Sequence, residues 1–163
     1  MNYKTTPEIE LAVAEFFNPR QHLILPNIWW GMGLNHECDL FIVSKNNYAS
    51  EIEIKVNKYD LKKDQKKGHG HSSNLIRRLY FAIPPELKEF NNYIPEHAGI
   101  IIVYAPGELQ SYYGHICKIE RPAKINKMAK PLIQYQILHL GRLAAMRIWT
   151  LKRTLLERND QNK

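Results

Sequence analysis

The sequence predicts an α/β domain: a mixed β-sheet flanked by helices, with a long C-terminal helix. Three observations lead there. Strand-sized apolar runs are interleaved with helical patterns, residues 51–56 alternate strictly in polarity, and residues 131–157 place apolar side chains at helical spacing. With 163 residues, 44% of them apolar and 24% charged, the chain has the size and composition to bury one core of ordinary dimensions. A single domain over 1–163 is expected, with its core at about 6–119 and a basic connection plus the last helix at about 120–158.

Thr6-Pro7 suits a helix start, with Thr6 as cap, and early acids suit the positive end of the helix dipole. Ile9, Ala12, Val13 and Phe16 form its apolar stripe, and Asn18-Pro19 ends it. Residues 22–26 read as a short strand, and Trp29-Trp30-Gly31-Met32-Gly33 as a loop anchored by bulky side chains. Residues 38–44 are apolar on both faces, the mark of a strand inside a covered sheet. In residues 51–56, Ile52, Ile54 and Val56 face one way and Glu51, Glu53 and Lys55 the other.

Residues 60–67 read as a capped, strongly basic helical turn and residues 68–73 as a flexible loop. Residues 79–83 form a strand ended by Pro84-Pro85, which opens a short helix through about Asn91. Residues 99–104 are a buried strand and residues 112–119 a more amphipathic one. Residues 118–130 are basic and loop-like. The last helix, from Pro131 to about Glu157, carries Leu132, Tyr135, Leu138, Ala145, Met146 and Trp149 on its apolar positions.

The formal charge of +7 and pI near 9.4 point to a polyanionic partner, because each basic contact to a phosphate releases counterions. Basicity alone does not separate DNA from RNA, or either from an anionic membrane surface. The longest clear apolar run, residues 98–105, is too short to span a bilayer. The first residues lack the apolar core of a signal peptide, so a cytoplasmic location with no membrane partner is expected. Cys38 and Cys117 are then reduced and buried.

Asp39 and the run Glu53-Ile54-Lys55 stand out. Paired carboxylates hold hard divalent cations through oxygen, and a nearby lysine orients water or neutralises charge building on a phosphate. Against this, Glu-Ile-Glu-Ile-Lys is also an ordinary amphipathic strand with a solvated face, on which Glu51 is a strand-end charge. Asp39 tips the balance, because it interrupts a strand that otherwise reads as buried, where a lone carboxylate is costly. The register makes this testable. A two-residue Asn46-Asn47 turn sets Asp39 against Ile54, whereas a three- or five-residue turn, or a bulge, sets it opposite Glu53 or Lys55.

The pattern Asp39…Glu53-Ile54-Lys55, preceded by a helix and followed by a basic helix and the strand Leu79-Tyr80-Phe81-Ala82-Ile83, resembles the PD-(D/E)XK nuclease superfamily. The closer likeness is to its MmcB-like DNA-repair branch, in which a Glu-Ile-Lys strand runs into an Asp- and Lys-rich helix and a Tyr-Phe-Ala strand follows. The resemblance covers roughly residues 6–104, and Cys38 stands where the superfamily name has proline. It implies a restriction-endonuclease-like fold and metal-dependent hydrolysis of phosphodiesters, in DNA before RNA, in repair, recombination or restriction. It implies further that Asp39, Glu53 and the main-chain carbonyl of Ile54 bind Mg2+ or Mn2+, and that Lys55 positions the attacking water. Many members add a glutamate from the first helix. Glu10, with Val13, Phe16 and Phe17 after it, fits that pattern better than Glu8 or Glu15.

Lys58, Lys62, Lys66, Lys67 and Arg77 are candidate phosphate contacts, and His69 and His71 reach the same edge in a Gly-flanked loop. A mobile solvent loop is the plainer reading of that His-x-His pair. Trp29 and Trp30 offer stacking for bases or anchorage for a loop. His36 with Cys38, His69 with His71, and His115 with Cys117 are closely spaced pairs of soft-metal donors, but none has the spacing of a common zinc framework. The last helix, with Met146 and Trp149, offers an interface for a homodimer. A catalytically inactive nucleic-acid-binding module on the same fold and a zinc-stabilised interaction domain are the alternatives.

Overall fold

A computed structural model describes residues 5–29, 31–66, 73–105 and 116–161. It falls into two units, Met1–Pro131 and Leu132–Lys163. The first holds helix α1 (Thr6–Phe16), strands β1 (Leu23–Ile28), β2 (Cys38–Val43) and β3 (Ala49–Ile54), helix α2 (Lys58–Lys66), strand β4 (Ile76–Ile83), a 3-10 helix (Pro85–Tyr93), and strands β5 (Gly99–Tyr104) and β6 (Ile116–Arg121). The second holds helix α3 (Gln134–Gln161).

The six strands lie side by side in chain order. β1, β2 and β3 form an antiparallel meander, β3, β4 and β5 run parallel, and β6 returns antiparallel to β5. The sheet is therefore mixed, as the sequence implies. Its two parallel connections pass through α2 and the 3-10 helix, and right-handed crossovers that advance in one direction along a sheet put both on one face. That layer packs Leu61, Leu87 and Ile94 against Leu79, Phe81, Ile83, Ile100 and Ile102. α1 covers the other face, packing Ile9, Ala12 and Val13 against Leu40, Ile42, Ile52, Ile54, Tyr80, Ala82, Ile101 and Val103. Coverage of both faces explains why β4 and β5 read as nearly continuous apolar runs.

Local chemistry moves several expected boundaries. The cap of α1 is Thr5, not Thr6: its N–H donates to the Glu8 carboxylate at 2.7 Å, which occupies Glu8 in capping. Asn57 caps α2, its Oδ1 accepting the Asp60 N–H at 2.9 Å. The strand expected to end at Ile119 runs on through residues 120–121, which read as loop alone, and Arg121 donates to the carbonyls of Ala98 (2.9 Å) and Pro95 (2.8 Å). Beyond it Asn126 fastens the chain to the start of β4, its N–H on the Arg77 carbonyl at 2.9 Å and its Nδ2 on the Ile76 carbonyl at 3.1 Å. α3 starts three residues after Pro131 and runs on to Gln161; the Ile133 N–H donates to Gln136 Oε1 at 3.0 Å, half of a capping box. No helix among the described residues is long and apolar enough to cross a membrane.

Candidate metal centre

The β2–β3 hairpin satisfies the odd-length condition. Its ladder pairs Leu40 with Ile52, Phe41 with Glu51, Ile42 with Ser50 and Val43 with Ala49. Ser44 and Tyr48 close it at 2.9 Å around the three-residue connection Lys45-Asn46-Asn47. Asn47 takes φ 62, the left-handed conformation that asparagine tolerates and such a connection needs. Continued by one residue, this register sets Asp39 opposite Glu53. The regular ladder ends at Leu40 and Ile52, and beyond it the Ile54 N–H donates to Asp39 Oδ2 at 2.7 Å.

The polar face of β3 is not solvated. Glu51, Glu53 and Lys55 are 0%, 6% and 8% exposed, which overturns the expectation of a solvated strand-end charge at Glu51. The cause is tertiary. Glu51 and Glu53 lie beside Leu79 and Phe81 of β4, on the face that α2 and the 3-10 helix cover. Lys55 Nζ donates to Glu53 Oε2 at 2.7 Å and lies 5.9 Å from the centre of the Phe81 ring. The second oxygen of Glu53, Oε1, is buried with no hydrogen-bond partner among the described residues. Burial pushes the Glu53 carboxyl up to about 7; Lys55 opposes the shift and Asp39 adds to it. A buried carboxylate oxygen lacking a donor, facing another carboxylate across a hairpin, fits a hard divalent cation.

A second donor cluster adjoins the first. His36 Nε2 contacts Glu51 Oε1, while His36 Nδ1 lies 2.7 Å from Asn35 Oδ1. Cys38 is fully buried, and burial, with Glu51 and Glu53 adding their charge, pushes its thiol far up. One ligand atom from each of His36, Cys38 and Glu51 lies within 4.8 Å of the others, so the three can coordinate a metal ion. The pairing of His36 with Cys38 is visible in the sequence. Glu51 is the member that sequence reasoning misses, because only the hairpin and the path of the loop before β2 bring it against His36 and Cys38.

Other expected site residues are more dispersed. Glu10 is half-buried on α1, the helix of the opposite face from Glu53. Lys58 and Lys62 are exposed on α2, their ammonium groups 3.8 Å and 5.5 Å from the ring centres of Phe90 and Tyr93. Lys66 ends the same helix. The Arg77 guanidinium stacks 3.8 Å from the Tyr48 ring centre, which ties it to the hairpin. Trp29 is exposed. Trp30, Lys67, His69, His71 and His115 lie outside the described residues.

Residues 3–155 match the family model described as DNA repair protein MmcB-like. A solved structure of a protein of unknown function from Silicibacter pomeroyi is similar, with a TM-score of 0.65 and 18% identity over 93% of this chain and 94% of that one. At that identity the likeness concerns the fold. No curated protein matches.

Proposed function

The chain belongs to the MmcB-like family of DNA repair proteins, of PD-(D/E)XK type, and from that premise we propose that it hydrolyses phosphodiester bonds in DNA with the help of Mg2+ or Mn2+. One observation carries the reading: the hairpin register, continued one residue past Leu40 and Ile52, sets Asp39 opposite Glu53, and Lys55 is hydrogen-bonded to the buried Glu53. When bound, the cation polarises a phosphoryl oxygen and activates water. Asp39, Glu53 and the Ile54 carbonyl would hold it. The Ile54 N–H keeps Asp39 in place through Oδ2. Glu53 binds in its ionised form, and its buried Oε1 supplies a lone pair that no protein donor uses among the described residues. Lys55 positions the attacking water and stabilises the negative charge that grows on the phosphate. Glu10 is the subsidiary carboxylate, contributed by α1.

Lys58, Lys62, Lys66, Lys67, His69, His71 and Arg77 are assigned to the phosphate backbone, with RNA as the alternative polymer. The protein acts in the cytoplasm as one domain, and α3 serves a homodimer. The test is a panel of labelled single-stranded, duplex and junction DNA, with RNA counterparts, incubated with Mg2+ or Mn2+ beside the Lys55→Ala protein. Cleavage of DNA by the wild type alone is expected. Salt-sensitive binding without cleavage of any substrate would replace the hydrolase with a binding module.

A further inference from the structure

We infer that His36, Cys38 and Glu51 form a second metal site, selective for a thiophilic divalent ion such as zinc and distinct from the oxygen site of Asp39 and Glu53. The donors come from three places: the loop before β2, the first residue of β2 and the middle of β3. His36 and Cys38 are near neighbours in the chain, but Glu51 comes to within 4.8 Å of them only through the fold of the hairpin, so the three-donor cluster is a tertiary arrangement. Cys38 and Glu51 are both completely buried, where an ionic or nucleophilic side chain needs a partner to offset its desolvation.

The support around His36 has the form of a ligand's outer shell. Asn35 Oδ1 accepts from His36 Nδ1 at 2.7 Å, which commits that ring hydrogen and turns Nε2 toward Glu51. Nε2 and Glu51 Oε1 then meet in direct contact, in a place that a cation can take. Tetrahedral zinc lies about 2.0–2.3 Å from its donors, so the donors are separated by about 3.3–3.8 Å. The cluster reaches that geometry through side-chain adjustments of about an ångström, chiefly the parting of His36 from Glu51.

Donor chemistry fixes the selectivity. Thiolate and imidazole favour zinc, whereas Mg2+ prefers all-oxygen sets. Three protein ligands leave one position open, the count found in zinc sites that bind water or substrate and not in closed structural ones. The hairpin thus carries two unlike sites on neighbouring residues, Cys38 beside Asp39 and Glu51 two residues before Glu53.

The test is cobalt titration of the full-length protein after removal of bound metal, in the absence of magnesium and DNA, together with the zinc content of the protein as purified. One equivalent of tightly bound zinc is expected, as is a thiolate-to-cobalt charge-transfer band. Cys38→Ser abolishes the band, and His36→Asn weakens binding tenfold or more. Cys117→Ser leaves the band intact; since the chain has two cysteines, this variant assigns the band to Cys38 even if Cys38→Ser fails to fold. Asp39→Asn keeps the band while losing magnesium-dependent cleavage, so failure of the hydrolase reading and failure of the zinc site are distinguishable. Folded wild-type protein without a thiolate band would overturn the site, leaving His36 as a simple counter-ion of Glu51. A band that survives Cys38→Ser would overturn it as well.

Discussion

The two faces of β3 are equally buried and chemically opposite. On one, Ile52 and Ile54 pack against Ile9, Val13, Leu40 and Tyr80 beneath α1. On the other, Glu51, Glu53 and Lys55 lie beside Leu79 and Phe81 beneath α2 and the 3-10 helix. A strand covered on both sides is ordinarily apolar on both, and hydrophobic replacement of buried ion pairs is often stabilising. The charged face therefore owes its chemistry to something other than stability. The proposed cation, which needs carboxylate oxygens in a site of low dielectric, would account for it.

The largest contrast between the faces appears when each is truncated. Lys55→Met strands the Glu53 carboxylate and is expected to cost about 3–5 kcal/mol at about pH 8, less in acid as Glu53 takes up a proton. Ile52→Ala is expected to cost about 2–5 kcal/mol at any pH, because it loses only packing. Urea unfolding at two pH values measures both, and identical pH behaviour would erase the distinction.

A smaller loss, about 1–3 kcal/mol, is expected from Gly99→Ala on the α1 side. A Cβ there would meet Tyr80 ring atoms at 2.3 Å and 2.4 Å and the Ala123 backbone nitrogen at 2.7 Å. The ring can rotate away, but the backbone cannot easily follow. Wild-type stability in that variant would show that the segment after β6 is loosely held.

The metal-free protein should also respond to pH through its charged face. Glu53 is raised from 4.5 to about 7 in the fold, so the folded state holds this proton more tightly than the unfolded state does. Its stabilising contribution is full below about 4.5 and is lost as pH rises through about 7. Bound Mg2+ favours the ionised carboxylate and should reduce this loss. Calorimetric melting across that range, with and without the ion, reads the effect; Glu53→Gln should abolish this contribution.

The smallest effects lie outside the contrast. Lys62→Ala should lower the salt dependence of DNA binding by about 0.9 in the log–log slope if Lys62 contacts one phosphate. Glu10→Gln, on the apolar-face helix, should slow cleavage less than either Asp39→Asn or Glu53→Gln.

Much of this organisation was legible in the chain. The apolar run of β5 and the alternation of β3 mark both strands, and the pairing of Asp39 with Glu53 itself requires an odd-length connection or a bulge. Burial of the Glu51 face was not legible, because alternation in β3 looks the same whether water or a helix covers the polar side. His36 of the loop before β2 meets Glu51 there and Lys55 meets Glu53, on the side of the sheet where Leu79 and Phe81 pack with residues of α2 and the 3-10 helix. The meeting of Glu51 with His36 and Cys38 was hidden for the same reason, since it depends on the hairpin register together with the path of the loop before β2. The Thr5 cap lies one residue from its expected place, and the capping-box spacing explains it: Glu8 follows Thr5 by three residues, where Thr6 is followed by Ile9.

A divalent-cation site at Asp39 and Glu53, as proposed, requires both carboxylates. Electron paramagnetic resonance of free Mn2+ during titration of the protein tests it most directly, with Cys38→Ser protein included to remove the neighbouring thiol. One saturable Mn2+ is expected in the wild type and in Cys38→Ser, with loss of that binding in folded Asp39→Asn and Glu53→Gln. Mn2+ binding unchanged in both carboxamide variants would contradict it.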